Sequence, residues 1–568
     1  MITSITLENF KGVREPVTLG IRPITLLFGP NSAGKSTFLH ALHYAYEIFE
    51  NHNLDADLTL TGGPFVDLGG FKSLVHGRDY SQPVRIGFEV DMQQLAWVGF
   101  GGDVSVIGEF LDLPFRDFLA TPPKSASVSL EIRWSPYEQR PYVAATTVSL
   151  NGEPFATLQC EPNLNQRFLR FLQTDLSSFK RVKDCVDADD QDETLDFKET
   201  VFTRAVEAMQ PRLRISSDLR LAIAPSRIPD ALPAIDEPFE AFWDDPDSGD
   251  SVGPHSLAAG KDDLQRQVSE CSKQFMLALS ELFFAPCQAV RAGLSRMLYL
   301  GPVREAPSRH ERPRVLNQGQ WATGRAAWDR LGECDEWLVS VVSEWLGDAD
   351  RLNTGYTVQR REFYEIEVDD PIVAALSGRR QLDGDEDERA EIAANNLGRF
   401  PISRQIYLVP QGKKLSLRPQ DVGTGIAQVL PVVVALLDGK QRLICVEQPE
   451  LHVHPKVQAG LADLVIEAAI GHRHSVFLET HSECLVLRLL RRVRETMAKS
   501  SATRGRRDTQ DSTSSLLRDV RPIDVAIYFI TSGVEAVQCR EIEVDDQGEF
   551  IQDWPDDFFE VDFKERYG

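Results

Sequence analysis

The segment GPNSAGKST, which begins at Gly29, constrains the fold of this chain more than any other feature. It fits the pattern G-x-x-x-x-G-K-[ST] in full, directly after the apolar run ITLLF and directly before the helical sequence STFLHALHYAYEIF. A buried strand, a glycine-rich turn and a helix in this order place backbone N–H groups and the positive end of the helix around phosphate oxygens. The sequence therefore predicts an α/β fold built around a phosphate-binding loop.

The residue types within this loop predict a triphosphate and a magnesium ion as ligands. Lys35 is expected on the β- and γ-phosphates, and the hydroxyl of Ser36 on Mg²⁺. The predicted phosphate-binding residues are Gly29, Pro30, Asn31, Ser32, Ala33, Gly34, Lys35, Ser36 and Thr37.

A second polar segment, VEQPELHVHP, follows the apolar run RLIC and begins at Val446. Glu447 would stand at the end of a neighbouring strand, where a carboxylate completes a Mg²⁺ site. Hydrolysis also needs a group that polarises the attacking water, and the next position is Gln448, whose amide can orient water but cannot accept its proton. Glu450 and His481 are the candidate substitutes, and slow turnover is the alternative.

The same segment contains His452 and His454, which allow a second interpretation. Their H-x-H spacing could place both imidazoles on one zinc ion, with Glu447 or Glu450 as a further ligand. The sequence alone leaves this zinc site as the minor alternative.

Two further segments have features of a phosphate site. DVGTGIAQVLP opens a helix with Gly423, Thr424 and Gly425, so that exposed N–H groups could meet a γ-phosphate, although an ordinary capped helix has the same pattern. SVFLETHSE ends a strand at Thr480, and His481 after it could reach the same phosphate.

In their order along the chain, these four segments resemble the ABC-type ATPases, in the branch that includes the SMC proteins and the OLD family. ITLENFKGV with GPNSAGKST is similar to their first lobe, DVGTGIAQVLP to their signature motif, VEQPELHVHP to their Walker B motif and D-loop, and ETHSE to their histidine switch. YLGPVREAPSRH and the ending GEFIQDWPDDFF resemble a bacterial subgroup often found beside nucleases in anti-phage systems. The sequence departs from the family twice, since Glu447 replaces the usual Asp and Gln448 the usual catalytic Glu.

The resemblance implies an ATPase that forms a homodimer, or a higher oligomer of dimers, around ATP and Mg²⁺. Each ATP would lie between the phosphate loop of one subunit and the signature helix of the other, and His452 and His454 would lie in the D-loop at the interface. The expected function is to control or power a partner effector, expected to be a nuclease, or to act on DNA in anti-phage defence. A slow or non-hydrolysing scaffold is the first alternative.

A nuclease activity within the chain and a transporter motor are weaker alternatives. An OLD-like nuclease would need more residues after His481, and VDDQGEF offers adjacent Asp545 and Asp546 without a D-x-D pair. The sequence has no string like LSGGQ, which argues against a transporter motor.

The formal net charge of −25 means that the whole molecule repels nucleic acid, so any DNA contact needs a local basic patch. The arginine-rich stretch at 488–507 is the candidate, and a solvated face is the alternative. Its predicted nucleic-acid or partner residues are Arg491, Arg492, Arg494, Arg504, Arg506 and Arg507. A smaller cluster, for which both interpretations stand equally, comprises Arg304, Arg309, Arg312 and Arg314.

A length of 568 residues predicts several structural units. We expect a β-rich ATPase lobe at 1–158, a largely helical, acidic insert at 159–295, an α/β second lobe at 296–500 and a C-terminal extension at 501–568. Eight cysteines without a C-x-x-C pair predict reduced thiols. The N-terminal sequence MITSITLENFKGV has charges where a signal peptide would need an apolar core, and no uninterrupted apolar stretch approaches 18 residues. We therefore expect a cytoplasmic protein without a membrane span.

Overall fold

The computed structural model describes residues 1–55, 66–93, 103–111, 113, 116–185, 198–210, 213–224, 226–241, 243–244, 251–252, 263–308, 318–370, 372–373, 397–439, 442–503, 518–533 and 536–552. Its strands are β1 (Ile2–Glu8), β2 (Val17–Gly20), β3 (Ile24–Phe28), β4 (Val84–Asp91), β5 (Ser125–Ser135), β6 (Arg140–Leu150), β7 (Glu153–Cys160), β8 (Arg167–Phe171), β9 (Arg220–Ile223), β10 (Trp243–Asp244), β11 (Ser251–Val252), β12 (Leu298–Leu300), β13 (Tyr356–Tyr364), β14 (Ile402–Pro410), β15 (Leu443–Glu447), β16 (Ser475–Glu479), β17 (Val525–Ser532) and β18 (Val537–Ile542). Its helices are α1 (Ser36–Asn51), α2 (Phe71–Leu74), α3 (Ser105–Leu111), α4 (Val201–Met209), α5 (Asp263–Ser295), α6 (Gln318–Ala322), α7 (Arg325–Glu333), α8 (Glu336–Gly347), α9 (Thr424–Leu437), α10 (Pro455–Ile466) and α11 (Glu483–Thr503).

The chain forms two compact units. Unit 1 comprises Met1–Arg22, Gly29–Met297 and Tyr528–Arg540. Unit 2 comprises Pro23–Phe28, Leu298–Ile527 and Glu541–Gly568.

Unit 1 is organised around an antiparallel sheet of eight strands in the order β2-β1-β4-β5-β6-β7-β8-β9. Its long strands alternate between buried and partly exposed residues, as β5 does along nearly its whole length. This alternation is typical of a sheet with one face on a core, and it confirms the antiparallel sheet predicted from the period-two pattern near residues 83–158.

The segment 159–295, which was predicted to be a separate insert, belongs to unit 1 in the structure. Strands β8 and β9 of this segment extend the eight-stranded sheet of unit 1. Phe202 of α4 packs on Phe155 of β7 at 5.7 Å between ring centroids and on Phe275 of α5 at 6.0 Å. The middle segment therefore shares the core of the sheet, and no boundary between units falls at residue 158.

Helix α5 differs from the expectation that no apolar stretch is long enough to cross a membrane. Among the described residues, one helical segment, Ser269–Ser295, is long and apolar enough by length and composition. Its most apolar window is 72% buried, as in a core helix, because α5 packs inside unit 1.

Unit 2 contains the parallel sheet, within the strand order β12-β15-β16-β3-β17-β18. Strands β12, β15, β16 and β3 all run parallel, and every residue of β3, β15 and β16 is buried. Continuous apolar strands of this kind are typical of a sheet covered on both faces. The predicted alternation of strands and helices after residue 405 is confirmed for α9, β15, α10, β16 and α11.

Two strands lie elsewhere than the sequence suggested. The QIYLV strand belongs to β14, which pairs with β13 in a separate antiparallel ribbon. The region predicted as a C-terminal extension contains β17, which takes the position beside β3 in the six-stranded order.

The carboxyl ends of β3, β16 and β15 meet at one edge of this sheet. Leu27 is in register with Glu479, and Glu479 with Glu447. Glu447 is therefore not on the strand next to β3, as the sequence suggested, because β16 lies between the two. At the usual strand spacing, Glu447 is two strands, about 10 Å, from the end of β3.

Candidate nucleotide site

The phosphate loop starts where the buried strand β3 ends, and two of its residues must be glycine for steric reasons. Gly29 has φ +145°, and a Cβ there would lie 2.1 Å from the carbonyl oxygen of Ile530. Gly34 has φ +96°, and its Cβ would lie 2.6 Å from a methyl carbon of Val537. Both backbone conformations are strained for other residue types, and at Gly29 the obstructing atom is a backbone oxygen. The motif glycines therefore serve the folding of unit 1 as well as the predicted loop.

The rest of the loop is arranged as a turn whose tip faces solvent. Pro30, Asn31 and Ser32 are exposed, whereas Lys35 is 3% exposed. The Lys35 ammonium group donates to the carbonyl oxygens of Gly29 at 3.1 Å and Pro30 at 2.8 Å. Helix α1 begins at Ser36, so its first N–H groups follow directly after the lysine.

Glu447 is the last residue of β15 and is 7% exposed. Its carboxylate oxygen Oε1 accepts a hydrogen bond of 2.8 Å from the hydroxyl of Tyr299. Burial, together with the Glu447 charge, raises the pKa of Tyr299, so the phenol stays protonated and donates. A carboxylate fixed in this way at the carboxyl end of a strand has the donor chemistry that Mg²⁺ prefers.

Gln448 follows in a strained backbone conformation. Its φ is +45°, which is uncommon for a residue with a side chain. Its backbone N–H donates to the carbonyl of Glu479 at 2.7 Å, which ties the residue to the end of β16. This backbone bond therefore fixes Gln448, the residue predicted to orient water, against the end of β16.

Glu450 connects two of the segments that the sequence singled out. Its Oε1 accepts from the backbone N–H of His481 at 2.7 Å, and its Oε2 accepts from the hydroxyl of Thr480 at 2.9 Å. Burial is the largest influence on its pKa and raises it, against the opposing effect of these bonds. Glu450 thus ties the loop after β15 to the loop after β16, while its role as a base stays a prediction.

The start of α9 carries the three predicted signature residues. Gly423 is the N-cap, no side chain caps the helix, and Gly423 and Thr424 are exposed. Gly425 has a different role, because a Cβ there would lie 2.6 Å from the carbonyl oxygen of His452. The close approach of α9 to the loop after β15 is a packing requirement that the sequence pattern did not indicate.

The zinc interpretation of the two histidines gains no support. Nδ1 of His454 accepts the backbone N–H of Lys456 at 3.2 Å and so caps helix α10. Across the described residues, no group of three or more His, Cys, Asp or Glu side chains could hold a metal ion.

The arginines of the predicted basic patch that lie on α11 form pairs within unit 2. Arg492 pairs with the buried Asp463 at 2.7 Å, and Arg491 with Glu495 at 2.7 Å. Nε of Arg494 donates to the carbonyl of Gln547 at 2.7 Å. The side chains of Arg491 and Arg494 remain 62% and 54% exposed, so a partner could still reach them.

Several predicted residues cannot be placed. Arg504, Arg506 and Arg507, together with Arg309, Arg312 and Arg314, lie outside the described residues, as does the ending WPDDFF.

Arg304 lies in the protein interior, whereas its basic cluster in the sequence suggested an exposed position. It is 2% exposed and donates to backbone carbonyls on α9 and at the end of β15. Sequence reasoning missed Arg304, Tyr299 and Gln428 as parts of this site. The only available signal was that YLGPVRE combines a short strand with polar residues, which does not reveal where that strand lies.

Two family models match separate parts of the chain. Residues 1–66 match the AAA ATPase domain, and residues 331–488 match the family described as AAA domain, putative AbiEii toxin, Type IV TA system. In these two segments the chain is similar to AAA-type ATPases. With the two sheets described above, these matches confirm the predicted α/β fold of an ABC-type P-loop ATPase, and they support ATPase activity at the coarse level. No curated protein matches the chain.

The chain also matches solved SMC heads at low similarity. These include the SmcHead bound to the C-winged helix domain of ScpA (9% identity, covering 96% of this chain and 98% of that one, TM-score 0.34). A Pyrococcus furiosus Smc head with an extended coiled coil, bound to the C-terminal domain of ScpA, gives 10% identity, coverage of 95% and 96%, and a TM-score of 0.33. The SMC head domain from Thermotoga maritima gives 9% identity, covers 96% of this chain and 99% of that one, and has a TM-score of 0.34.

Proposed function

We propose that this chain is an SMC-like ATPase of the ABC type that binds ATP with Mg²⁺ and hydrolyses it slowly. The observation that carries the proposal is the complete phosphate-loop sequence between the buried strand β3 and helix α1, with Gly29 and Gly34 in conformations that only glycine adopts readily. The AAA matches at residues 1–66 and 331–488 support the same activity.

Each residue of the proposed site has a role that its chemistry permits. Lys35 exchanges the carbonyls of its own loop for phosphate oxygens, a stronger pairing because both partners are charged. Ser36 and Glu447 supply oxygen donors to Mg²⁺, which neutralises charge on the phosphates when bound. Gln448 orients the attacking water, and its inability to accept a proton is the reason for slow turnover.

The exposed start of α9 supports a homodimer that closes around ATP. No side chain caps its first N–H groups, and the residues Gly423 and Thr424 are exposed. A γ-phosphate held by a second copy would satisfy them, so ATP would favour the closed dimer by contacts that ADP cannot make.

The biological role that fits best is control of an effector protein, with a nuclease as the expected class, or action on DNA, in anti-phage defence. The family matched at residues 331–488 is described as a putative toxin of a toxin–antitoxin system, which agrees with a defence function. A non-hydrolysing ATP-dependent scaffold is the second candidate, favoured by Gln448. Steady-state turnover with and without DNA separates the two, since a scaffold binds ATP and dimerises without releasing phosphate.

Substitution of Lys35 by alanine tests the proposed function directly. We expect Lys35→Ala to weaken binding of a fluorescent ATP analogue by at least about 30-fold, because it removes charge-assisted bonds worth roughly 2 kcal/mol or more. Lys413→Ala, at an exposed lysine of the β14 turn, is the matched control and should bind like the wild type. Light scattering should detect a dimer with ATP but not with ADP. Wild-type affinity in Lys35→Ala would refute the assignment of the loop.

A further inference from the structure

Arg304 is a buried cation that forms no ion pair with a carboxylate among the residues that the structure describes. Burial lowers its pKa to about 10, so it remains protonated at neutral pH despite being 2% exposed. A buried charge must be compensated by well-formed hydrogen bonds. In the described chain, these bonds from the guanidinium group go to backbone carbonyl oxygens.

The carbonyls that Arg304 contacts belong to two segments far apart in sequence. Nη1 donates to the carbonyl of Gln428 on α9 at 3.4 Å, and Nη2 donates to the carbonyls of Glu447 and, at 3.4 Å, of Gln448. The backbone of Arg304 also forms a reciprocal pair with the side-chain amide of Gln428. One residue therefore joins the signature helix to the end of β15.

A glycine next to Arg304, Gly324, leaves space for the arginine side chain. Gly324 has φ +73°, and a Cβ there would lie 3.0 Å from Cβ of Arg304 and 3.0 Å from Pro431 on α9. The absence of a side chain at Gly324 thus leaves room for the arginine beside the helix.

The strained backbone of Gln448 is held from both sides. Its N–H donates to the carbonyl of Glu479 at 2.7 Å, and its C=O accepts from the N–H of Leu451 at 3.2 Å and from Arg304 at 3.4 Å. A non-glycine residue with positive φ persists when its surroundings fix it in place. Without Arg304, the carbonyls of residues 447 and 448 would lose their charged donor. Gln448 would keep its bonds to Glu479 and Leu451, which restrain the turn less than the three contacts together.

We propose that Arg304 is a positioning residue that holds the peptide at Glu447–Gln448 in its working conformation and couples it to the signature helix α9. The inference rests on the proposed function only in the assumption that Gln448 orients water. It replaces the interpretation of Arg304 as part of an exposed basic patch.

The experiment uses the full chain with Arg304→Lys, Arg304→Met and a control, Arg330→Met. Arg330 also anchors α9, through a two-bond pair at 2.9 Å to Asp438 just after the last helical residue, so it reports general loss of stability at the opposite end of the same helix. Each variant is measured for thermal unfolding, affinity for a fluorescent ATP analogue, kcat and KM for ATP, and hydrogen exchange of the peptide spanning 446–454.

Both Arg304 variants should lower kcat by about tenfold or more, with KM and ATP affinity within about twofold, as expected for loss of positioning rather than of binding. Lysine should fail to rescue, since a single ammonium group cannot bridge carbonyls on two segments as a guanidinium does. Amide exchange at 446–454 should rise without nucleotide. Arg330→Met should lower the unfolding temperature and leave kcat and this exchange unchanged.

Unchanged exchange at 446–454 in a folded Arg304 variant overturns the proposal. The proposal is also overturned if Arg330→Met, when destabilised to the same extent, loses as much kcat as the Arg304 variants. If Arg304→Met does not fold, Arg304→Lys decides by the same two readouts. If the wild type neither binds nor hydrolyses ATP, the proposed function fails, while the exchange measurement, made without nucleotide, still decides whether Arg304 holds this turn.

Discussion

The loop after β3 and the loop after β15 both follow a buried parallel strand, yet they are fixed in different ways. The phosphate loop depends on residues within the motif, since Gly29 and Gly34 make the turn and Lys35 bonds to carbonyls of the same loop. In the loop after β15, the backbone of Gln448 has one local bond, from Leu451, and is also held by two residues distant in sequence, Arg304 and Glu479. The difference indicates why the glycine-rich motif can be recognised from its own sequence, whereas the contacts of the loop after β15 also depend on tertiary partners.

The largest expected effect comes from forcing a side chain into the phosphate loop. Gly29→Ala should destabilise the protein by at least about 3 kcal/mol, because it combines a backbone conformation unfavourable for alanine with a contact to the carbonyl of Ile530. Thermal or denaturant unfolding measures this directly.

Gly423→Ala is the matched control for that experiment. Gly423 has φ −60°, and a Cβ there meets nothing within 4 Å, so the stability should change by less than about 0.5 kcal/mol. An equal cost at both glycines would remove the steric basis of the comparison.

Substitution of Glu450 is expected to have a smaller effect on stability. Two variants at this position separate its structural role from its predicted role as a base. Glu450→Ala should cost about 1–3 kcal/mol, because the His481 N–H and the Thr480 hydroxyl lose their acceptor. Glu450→Gln keeps one acceptor oxygen and should retain most of the stability.

The turnover of Glu450→Gln decides between the two roles. A residue that acts by holding His481 should leave kcat within a few-fold of the wild type when its amide replaces the carboxylate, whereas a proton acceptor should lose about 100-fold or more. Loss of that size in a stable Glu450→Gln protein would show that the loop after β15 contributes a base.

The smallest effect on stability is expected at the two exposed arginines of α11. Replacing Arg491 and Arg494 by glutamine should change the free energy of unfolding by less than about 1 kcal/mol, since exposed ion pairs contribute little. If this face binds DNA, the same double variant should bind more weakly and with a shallower dependence on salt. Unaltered DNA binding would leave these arginines as a solvated face.

Arg492→Gln allows the loss of stability at a buried ion pair to be compared with that at the exposed arginines of the same helix. It leaves Asp463 buried with one of its two arginine partners removed, so it should destabilise the protein more than the exposed pair does. Equal effects on stability would contradict the distinction drawn here between buried and exposed pairs.

Much of the fold could be predicted because local patterns are strong where one physical constraint dominates. Mostly apolar runs such as Ile24–Phe28 and Leu443–Glu447 became buried parallel strands, and the alternating run of β5 became a half-buried antiparallel strand. The middle segment was harder to predict, because short strands such as Arg167–Phe171 carry too few residues to show an alternation.

The sequence named individual candidate residues for the site, but it did not indicate the contacts between them. The sequence placed Gln448, Glu450 and His481 near one another through their order in strand-end segments. It did not indicate that Glu450 bonds to the loop of His481, or that β16 separates the strand of Glu447 from β3.

The sequence by itself determined the phosphate loop, because the constraints of a tight turn act between residues that are neighbours in the chain. The tertiary structure decided which far-off residues complete the loop after β15, and it placed Arg304 inside the protein rather than on a basic surface. The physical reason is that burial and hydrogen-bond partners depend on how distant segments pack, and charge patterns along a chain do not encode that packing locally.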